Sequence, residues 1–258
     1  QPAAEEFSER IDGGYYRFVT ESGETVAESA VVVGVGDTYI DEKNRLFEVV
    51  AIDGDVVTVV ERGTAEMPDV SDALRVMEPA GRRSSSLLGW ASSLLAQARG
   101  GRREVIGIYH THNAESYVPT SGRDSEEYGD IHEVGRRLAE AFERMGYEVV
   151  WRDDSHLPHD GQAYLRSRRT ASEISRQGPV TMLDVHRDAI PRREEYLAEV
   201  NGELVSQVRL VVGRQNPNRD ANLEYAKRIK AIADEKFPGL IKGIFHAKGN
   251  YNQDLGPR

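Results

Sequence analysis

E-V-I-G-I-Y-H-T-H-N-A-E-S-Y, residues 104 to 117, opens on a short apolar run and stops abruptly on two histidines and a carboxylate. A run of this length, with Gly100 and Gly101 before it and polar residues after it, fits a buried strand better than a helix. Such a strand delivers His110, His112 and Glu115 at its carboxyl end, where open α/β sheets place their sites. V-T-M-L-D-V-H-R-D, residues 180 to 188, has the same form and ends on Asp184, His186, Arg187 and Asp188. Two buried strands that each end in histidine plus carboxylate point to one metal site assembled from two places.

Around these runs, residues 104 to 258 alternate strand and helix. Asp130 with Glu133 three residues on reads as a capping box opening a helix with Ile131, Val134, Leu138, Ala141, Phe142 and Met145 on one face. Y-E-V-V-W follows as a strand, residues 162 to 177 as a helix, and Asn201-Gly202 as a hairpin turn on the same sheet. A helix from about Arg219 to Lys236 and a strand, I-K-G-I-F-H-A, complete the pattern. The expected fold is therefore α/β, a mostly parallel twisted sheet with helices on both faces.

Before it, residues 1 to 77 read as a small all-β domain. After a polar, frayed start come five or so short β-type runs, with turns at Ser22-Gly23 and Asp53-Gly54. The region holds no histidine, and its plainest reading is a spacer or interaction module. Residues 78 to 103 form a linker with a short amphipathic helix, Leu87, Leu88, Trp90, Ala91, Leu94 and Leu95 on its apolar side.

Composition narrows the chemistry. The chain has 258 residues, no cysteine and a net charge of −10, which argues against a dedicated nucleic-acid or anionic-membrane surface. Without thiolates, a zinc ion needs imidazole and carboxylate ligands, three from the protein with one position left for water in a hydrolase. His112 and His186 are the first two candidates. His110 competes with His112, because alternate residues of an extended chain share a face. The third ligand is expected from D-S-E-E-Y-G-D, as Glu127 or its neighbour Glu126. His132, in the first turn of a helix, is expected to be exposed, and His156 and His159 to lie in a solvated loop. His246 ends a strand and is a candidate for lining the same cleft. Arg187 and Asp188 stand where they can orient ligands or bind a substrate carboxylate. A metal-dependent esterase or phosphatase is a rival reading and would draw a second ion's carboxylates from Asp184 and Asp188.

The runs I-Y-H-T-H-N-A-E-S-Y, L-D-V-H-R-D-A and G-N-Y-N-Q-D-L resemble the stage II sporulation protein P family, peptidoglycan hydrolases similar in fold to the zinc N-acetylmuramoyl-L-alanine amidases. The resemblance implies zinc-dependent cleavage between the muramic acid lactyl group and L-alanine, with cutting of the stem peptide as well, during engulfment and septal thinning. It places the ligands on His112, on Glu127 or Glu126, and on His186, and leaves Glu115 and Arg187 as catalytic candidates. Tyr251, Asn252 and Gln253 become candidate substrate contacts, as does His246. In the family the chain continues past N-Y-N-Q-D-L with a strand carrying the glutamate that serves related amidases as general base. This sequence ends at Arg258, so the expectation is zinc binding with poor hydrolysis. The resemblance also implies extracytoplasmic work, an anchor upstream of Gln1, and partnership with a lytic transglycosylase, stage II sporulation protein D. A non-catalytic wall-binding or scaffold protein that keeps the fold is the alternative of another class.

Overall fold

The computed structural model describes residues 10, 12–77 and 103–256. The frayed start and the expected helix between 87 and 95 lie outside the described residues. Strands β1 (Tyr16–Thr20), β2 (Thr25–Ser29), β3 (Thr38–Asp41), β4 (Arg45–Asp53) and β5 (Val56–Thr64) are followed by the short helix α1 (Ser71–Met77). β4 and β5 pair around a two-residue turn at whose first position Gly54 takes a φ of 57°, a conformation without penalty only for glycine.

The site-bearing part begins with β6 (Val105–Tyr109), buried at every position. Helix α2 (Val118–Ser121), helix α3 (Ile131–Arg144), β7 (Glu148–Trp151), helix α4 (Ala163–Ser175) and β8 (Thr181–Asp184) follow. β7, β6 and β8 form a three-stranded parallel sheet in that order. Side chains alternate along β6, so Ile106 and Ile108 pack with Leu138, Ala139 and Phe142 of α3, while Tyr109 packs with Ala171 and Ile174 of α4. Gly107 faces α4 so closely that a Cβ would lie 2.3 Å from Ile174 Cγ2.

The parallel arrangement expected for the whole region stops at those three strands. β11 (Val208–Gly213) and β12 (Ile241–Ala247), with helix α5 (Arg219–Lys236) between them, are parallel to each other but leave the small sheet. β12 pairs antiparallel with β3, giving a mixed seven-stranded sheet in the order β11-β12-β3-β4-β5-β1-β2. Strands from the expected 1–77 and 104–258 divisions thus share one sheet. Strand periodicity specifies a buried face, not the partner across the ladder, so the pairing of β12 with β3 is invisible locally. The Asn201-Gly202 hairpin forms, from β9 (Leu197–Val200) and β10 (Glu203–Ser206), as a separate two-stranded sheet.

The large sheet is curled. Its two edge strands, β11 and β2, come close enough for Arg209 of β11 to donate to the carbonyl of Glu28 on β2 at 2.8 Å. Inside the curl, Phe18 and Tyr39 lie 5.0 and 4.6 Å, centroid to centroid, from Phe245 of β12. The same core includes Phe47, Val57, Tyr164 and Tyr251. The expected capping box is replaced: the Asp130 carboxylate accepts the Tyr117 N–H at 3.1 Å, and Glu133 pairs with Arg136 and Arg137. Because both stretches of chain contribute to one core, Phe245→Ala is expected to remove about 3–5 kcal/mol. Chemical denaturation should show one transition, moved for probes in both stretches; a shift confined to one would contradict the shared core.

Candidate metal centre

β6 ends at Tyr109, and the chain turns at once instead of staying extended, with the Glu115 N–H donating to the His112 carbonyl at 3.2 Å. The loop is held from behind by residues 124–131: Glu126 N–H to Ala114 O at 2.9 Å, Gly129 N–H to Asn113 O at 3.0 Å and Ile131 N–H to Glu115 O at 3.1 Å. At Gly129 a Cβ would lie 2.1 Å from the Glu115 carbonyl oxygen, so only glycine allows this approach.

This turn presents His112 and Glu115 toward His186, two residues beyond β8. One ligand-capable atom from each of the three lies within 4.8 Å of the others. Glu115 Oε1 is 3.2 Å from His112 Nδ1 and 3.4 Å from His186 Nδ1, and Oε2 accepts the Arg187 N–H at 2.6 Å. A tetrahedral ion with bonds of ~2.0–2.1 Å holds its ligand atoms about 3.4 Å apart. Two imidazoles and a carboxylate, spaced in this way, fit a divalent ion that accepts nitrogen and oxygen donors. His186 Nε2 lies 3.0 Å from Asp184 Oδ1, and Asp184 also accepts the N–H and hydroxyl of Thr111 at 2.8 and 2.6 Å. A carboxylate behind a ligand imidazole fixes its orientation and leaves the other nitrogen free to coordinate.

Electrostatics single out His186 among the histidines here. Burial alone would lower its pKa, but the Asp184 and Glu115 carboxylates hold it well above the ordinary value. Burial would raise the Glu115 pKa, and the charge of His186 with the hydrogen bond from His112 instead holds it far down. Burial, then the nearby His112, holds His159 down to about 4.

Several expectations are corrected. His112 and His186 come together, but Glu115 takes the place anticipated for Glu127 or Glu126. Those two line an open cleft of ≈ 660 Å³ with Ala114, Ser125, Leu157, Pro158 and His159, and Glu126 pairs with Arg123 at 3.5 Å. The H-x-x-E spacing in a turn after a strand was the available signal for Glu115. His110 leaves the group because the turn breaks strand alternation: Nδ1 is 3.0 Å from the Val185 carbonyl, and Nε2 accepts the Trp151 N–H at 3.3 Å. His132 is buried, not exposed; it stacks on Tyr128 at 3.8 Å, and burial followed by His110 holds it down to about 4. His156 is buried too, 2.8 Å from the His110 carbonyl and 3.0 Å from the Thr170 hydroxyl. His159 stacks on His112 at 4.5 Å, a neighbour that loop composition did not reveal.

The Arg187 guanidinium donates to the Asp124 carbonyl at 2.7 Å, so this residue braces the loop and, through its N–H, Glu115. The candidate substrate contacts near the C-terminus serve the fold. Asn252 donates to the Tyr164 carbonyl and the Ser167 hydroxyl, and Gln253 bridges Gly213 and Val211. Tyr251 is buried, and its hydroxyl donates to the Lys248 carbonyl. His246 lies in β12, and its charged neighbours among the described residues are Arg214, Asp220 and Arg219. Asp184 and Asp188, the carboxylates a two-ion esterase would need, are both engaged in internal hydrogen bonds.

The model of the family Stage II sporulation protein P matches residues 62–258. The chain belongs to this family. A curated relative, Stage II sporulation protein P of Bacillus subtilis (strain 168), is 29% identical over 178 residues, covering 61% of this chain and 44% of the relative. The chain therefore spans less than half of that protein's length. No solved structure matches the chain. The family match covers both strand ends that carry the histidine–glutamate group and runs back into β5. No helix among the described residues is long and apolar enough to cross a membrane.

A protonated His186 must lose its proton before Nδ1 can bind a cation, so uptake of a divalent ion by this group should release a proton. The apparent affinity for such an ion is expected to rise about tenfold per pH unit below the raised His186 pKa, and to flatten above it. Calorimetry in buffers of different ionisation enthalpy measures this directly. Uptake independent of buffer and pH would exclude His186 as a ligand.

Proposed function

We propose that this protein is a zinc-dependent peptidoglycan hydrolase of sporulation that cleaves the amide between the muramic acid lactyl group and L-alanine, and stem-peptide amides at the same site. The observation that carries the reading is the convergence of His112, Glu115 and His186 at the ends of two parallel strands. Membership in the sporulation family supports the cell-wall substrate.

In this reading His112, Glu115 and His186 hold the ion. When bound, zinc supplies Lewis acidity toward an amide carbonyl and a water of lowered pKa. The protein's own part is positional. The Arg187 N–H fixes one oxygen of Glu115 so that the other stays aimed at both imidazoles. Asp184 sets the ring orientation of His186. His159, uncharged at neutral pH and stacked on His112, lines the adjoining cleft and offers an uncharged contact to the substrate. Glu126 and Glu127 give that cleft an acidic wall, which suits a stem peptide bearing a free amine. Extracytoplasmic action beside the lytic transglycosylase, stage II sporulation protein D, belongs to the same proposal.

Elemental mass spectrometry of the purified chain should find about one zinc per chain, lost in His112→Ala and His186→Ala and retained in Glu126→Gln and Glu127→Gln. Muropeptides incubated with the zinc-loaded chain should then gain a new alanine amine slowly, in keeping with the poor hydrolysis expected of these residues, detectable by amine labelling and mass. A zinc-loaded chain that binds glycan without releasing that amine would favour the wall-binding alternative.

A further inference from the structure

Asp188 follows the candidate ligand His186 by two residues and does not face it. Its carboxylate reaches away, into the seam where the curled sheet nearly closes. Oδ1 accepts the Ala30 N–H at 2.7 Å, and Oδ2 accepts the Ser29 hydroxyl at 2.8 Å, both at the end of β2. Oδ2 also accepts the Tyr196 hydroxyl at 2.5 Å and the Arg209 guanidinium at 2.8 Å. Arg209 itself is almost entirely buried, lying 5.0 Å from the Phe245 ring centre and 5.1 Å from that of Tyr196. Four donors from three separate stretches of chain converge on this one carboxylate. Beside it, Arg192 pairs with Glu28, so the same segment is attached to β2 a second time.

We infer that Asp188 is a positioning residue for the candidate metal centre, and that the N-terminal strands, by anchoring it, are a working part of that centre instead of a spacer. The geometry shows the route. His186 is held from both sides: before it by β8, which ends at Asp184 and continues in the Val185 N–H bonded to the Tyr109 carbonyl, and after it by the Arg187 N–H on Glu115 and by Asp188 in the seam. Between β8 on one side and these two attachments on the other, His186 has little freedom to swing its Nδ1 away from Glu115. Removing the seam attachment leaves Asp188 unanchored and the arm beyond β8 held by Arg187 alone, through its N–H on Glu115 and its guanidinium on the Asp124 carbonyl. The inference rests on the zinc reading for its consequence, though the clasp itself can be observed without metal.

The test compares the wild-type chain with Asp188→Asn, Tyr196→Phe and His186→Ala, using zinc calorimetry, thermal melting, and amide hydrogen exchange of the metal-free proteins. Asp188→Asn is expected to weaken zinc binding about tenfold, in the range found when a residue orienting a ligand is altered. It should also speed exchange of the Arg187 and Ala30 amides while leaving β6 and α3 as protected as before. Tyr196→Phe, which keeps the Asp188–Arg209 pair, should move both readouts the same way by less. It decides the matter if Asp188→Asn does not fold. A purely structural role would lower the melting temperature without changing zinc affinity well below it, and that result overturns the inference. If the wild-type chain binds no zinc, the metal reading fails, and unchanged Arg187 exchange in the variants would separately overturn the clasp.

Discussion

One carboxylate joins the two halves of the site. Glu115 touches His112 and His186 with one oxygen and accepts the Arg187 N–H with the other, so the ends of β6 and β8 meet on a single buried side chain. A buried carboxylate is costly unless its charge is matched and its lone pairs are bonded. Here both conditions are met by residues whose own positions depend on the strands. The register of β6 against β8, with Tyr109 opposite Asp184, places the two strand ends level with each other. The constraint therefore runs from strand pairing to charge placement, and from there to the chemistry available.

Burial sorts the histidines around that carboxylate by role. His110 and His132 lie on the α3 and β7 side, where no carboxylate among the described residues bonds to their rings, and burial lowers their pKa values. His186 is only part-buried and stands between Asp184 and Glu115, and the two carboxylates reverse the effect of burial. The same residue type is thus neutral packing in one place and a charged partner only a few ångströms away. Asp184 takes part in both settings, since it orients His186 and also ties the backbone of Thr111 to β8.

The large sheet supports the site from the other side. Its edges are drawn together around Arg209, Tyr196 and Asp188, and the segment leaving β8 runs over that seam. Arg209 suits the position because a guanidinium spreads its charge over several donors and stacks on aromatic rings, here those of Phe245 and Tyr196. Fold and site are linked physically at this point, since the residue two positions past His186 is the anion the seam requires.

How much of this was legible in the sequence follows the range of the forces involved. The buried strand at 105–109, the two histidine-bearing strand ends, the hairpin at Asn201-Gly202 and the helix Arg219–Lys236 were all readable, because apolar period, turn chemistry and helix length are local properties. The three motifs also carried the family resemblance that the match over 62–258 supports. Which glutamate joins the histidines was not decided locally. The turn at 110–116 points Glu115 inward, and the contacts of residues 124–131 leave Glu126 and Glu127 lining the cleft. The partner of β12 and the closing of the sheet around Arg209 were likewise set only in the folded chain. A side chain's residue type fixes what it can bond, but its partners come from backbone that lies far away in sequence, and tertiary structure alone brings that backbone within hydrogen-bond reach.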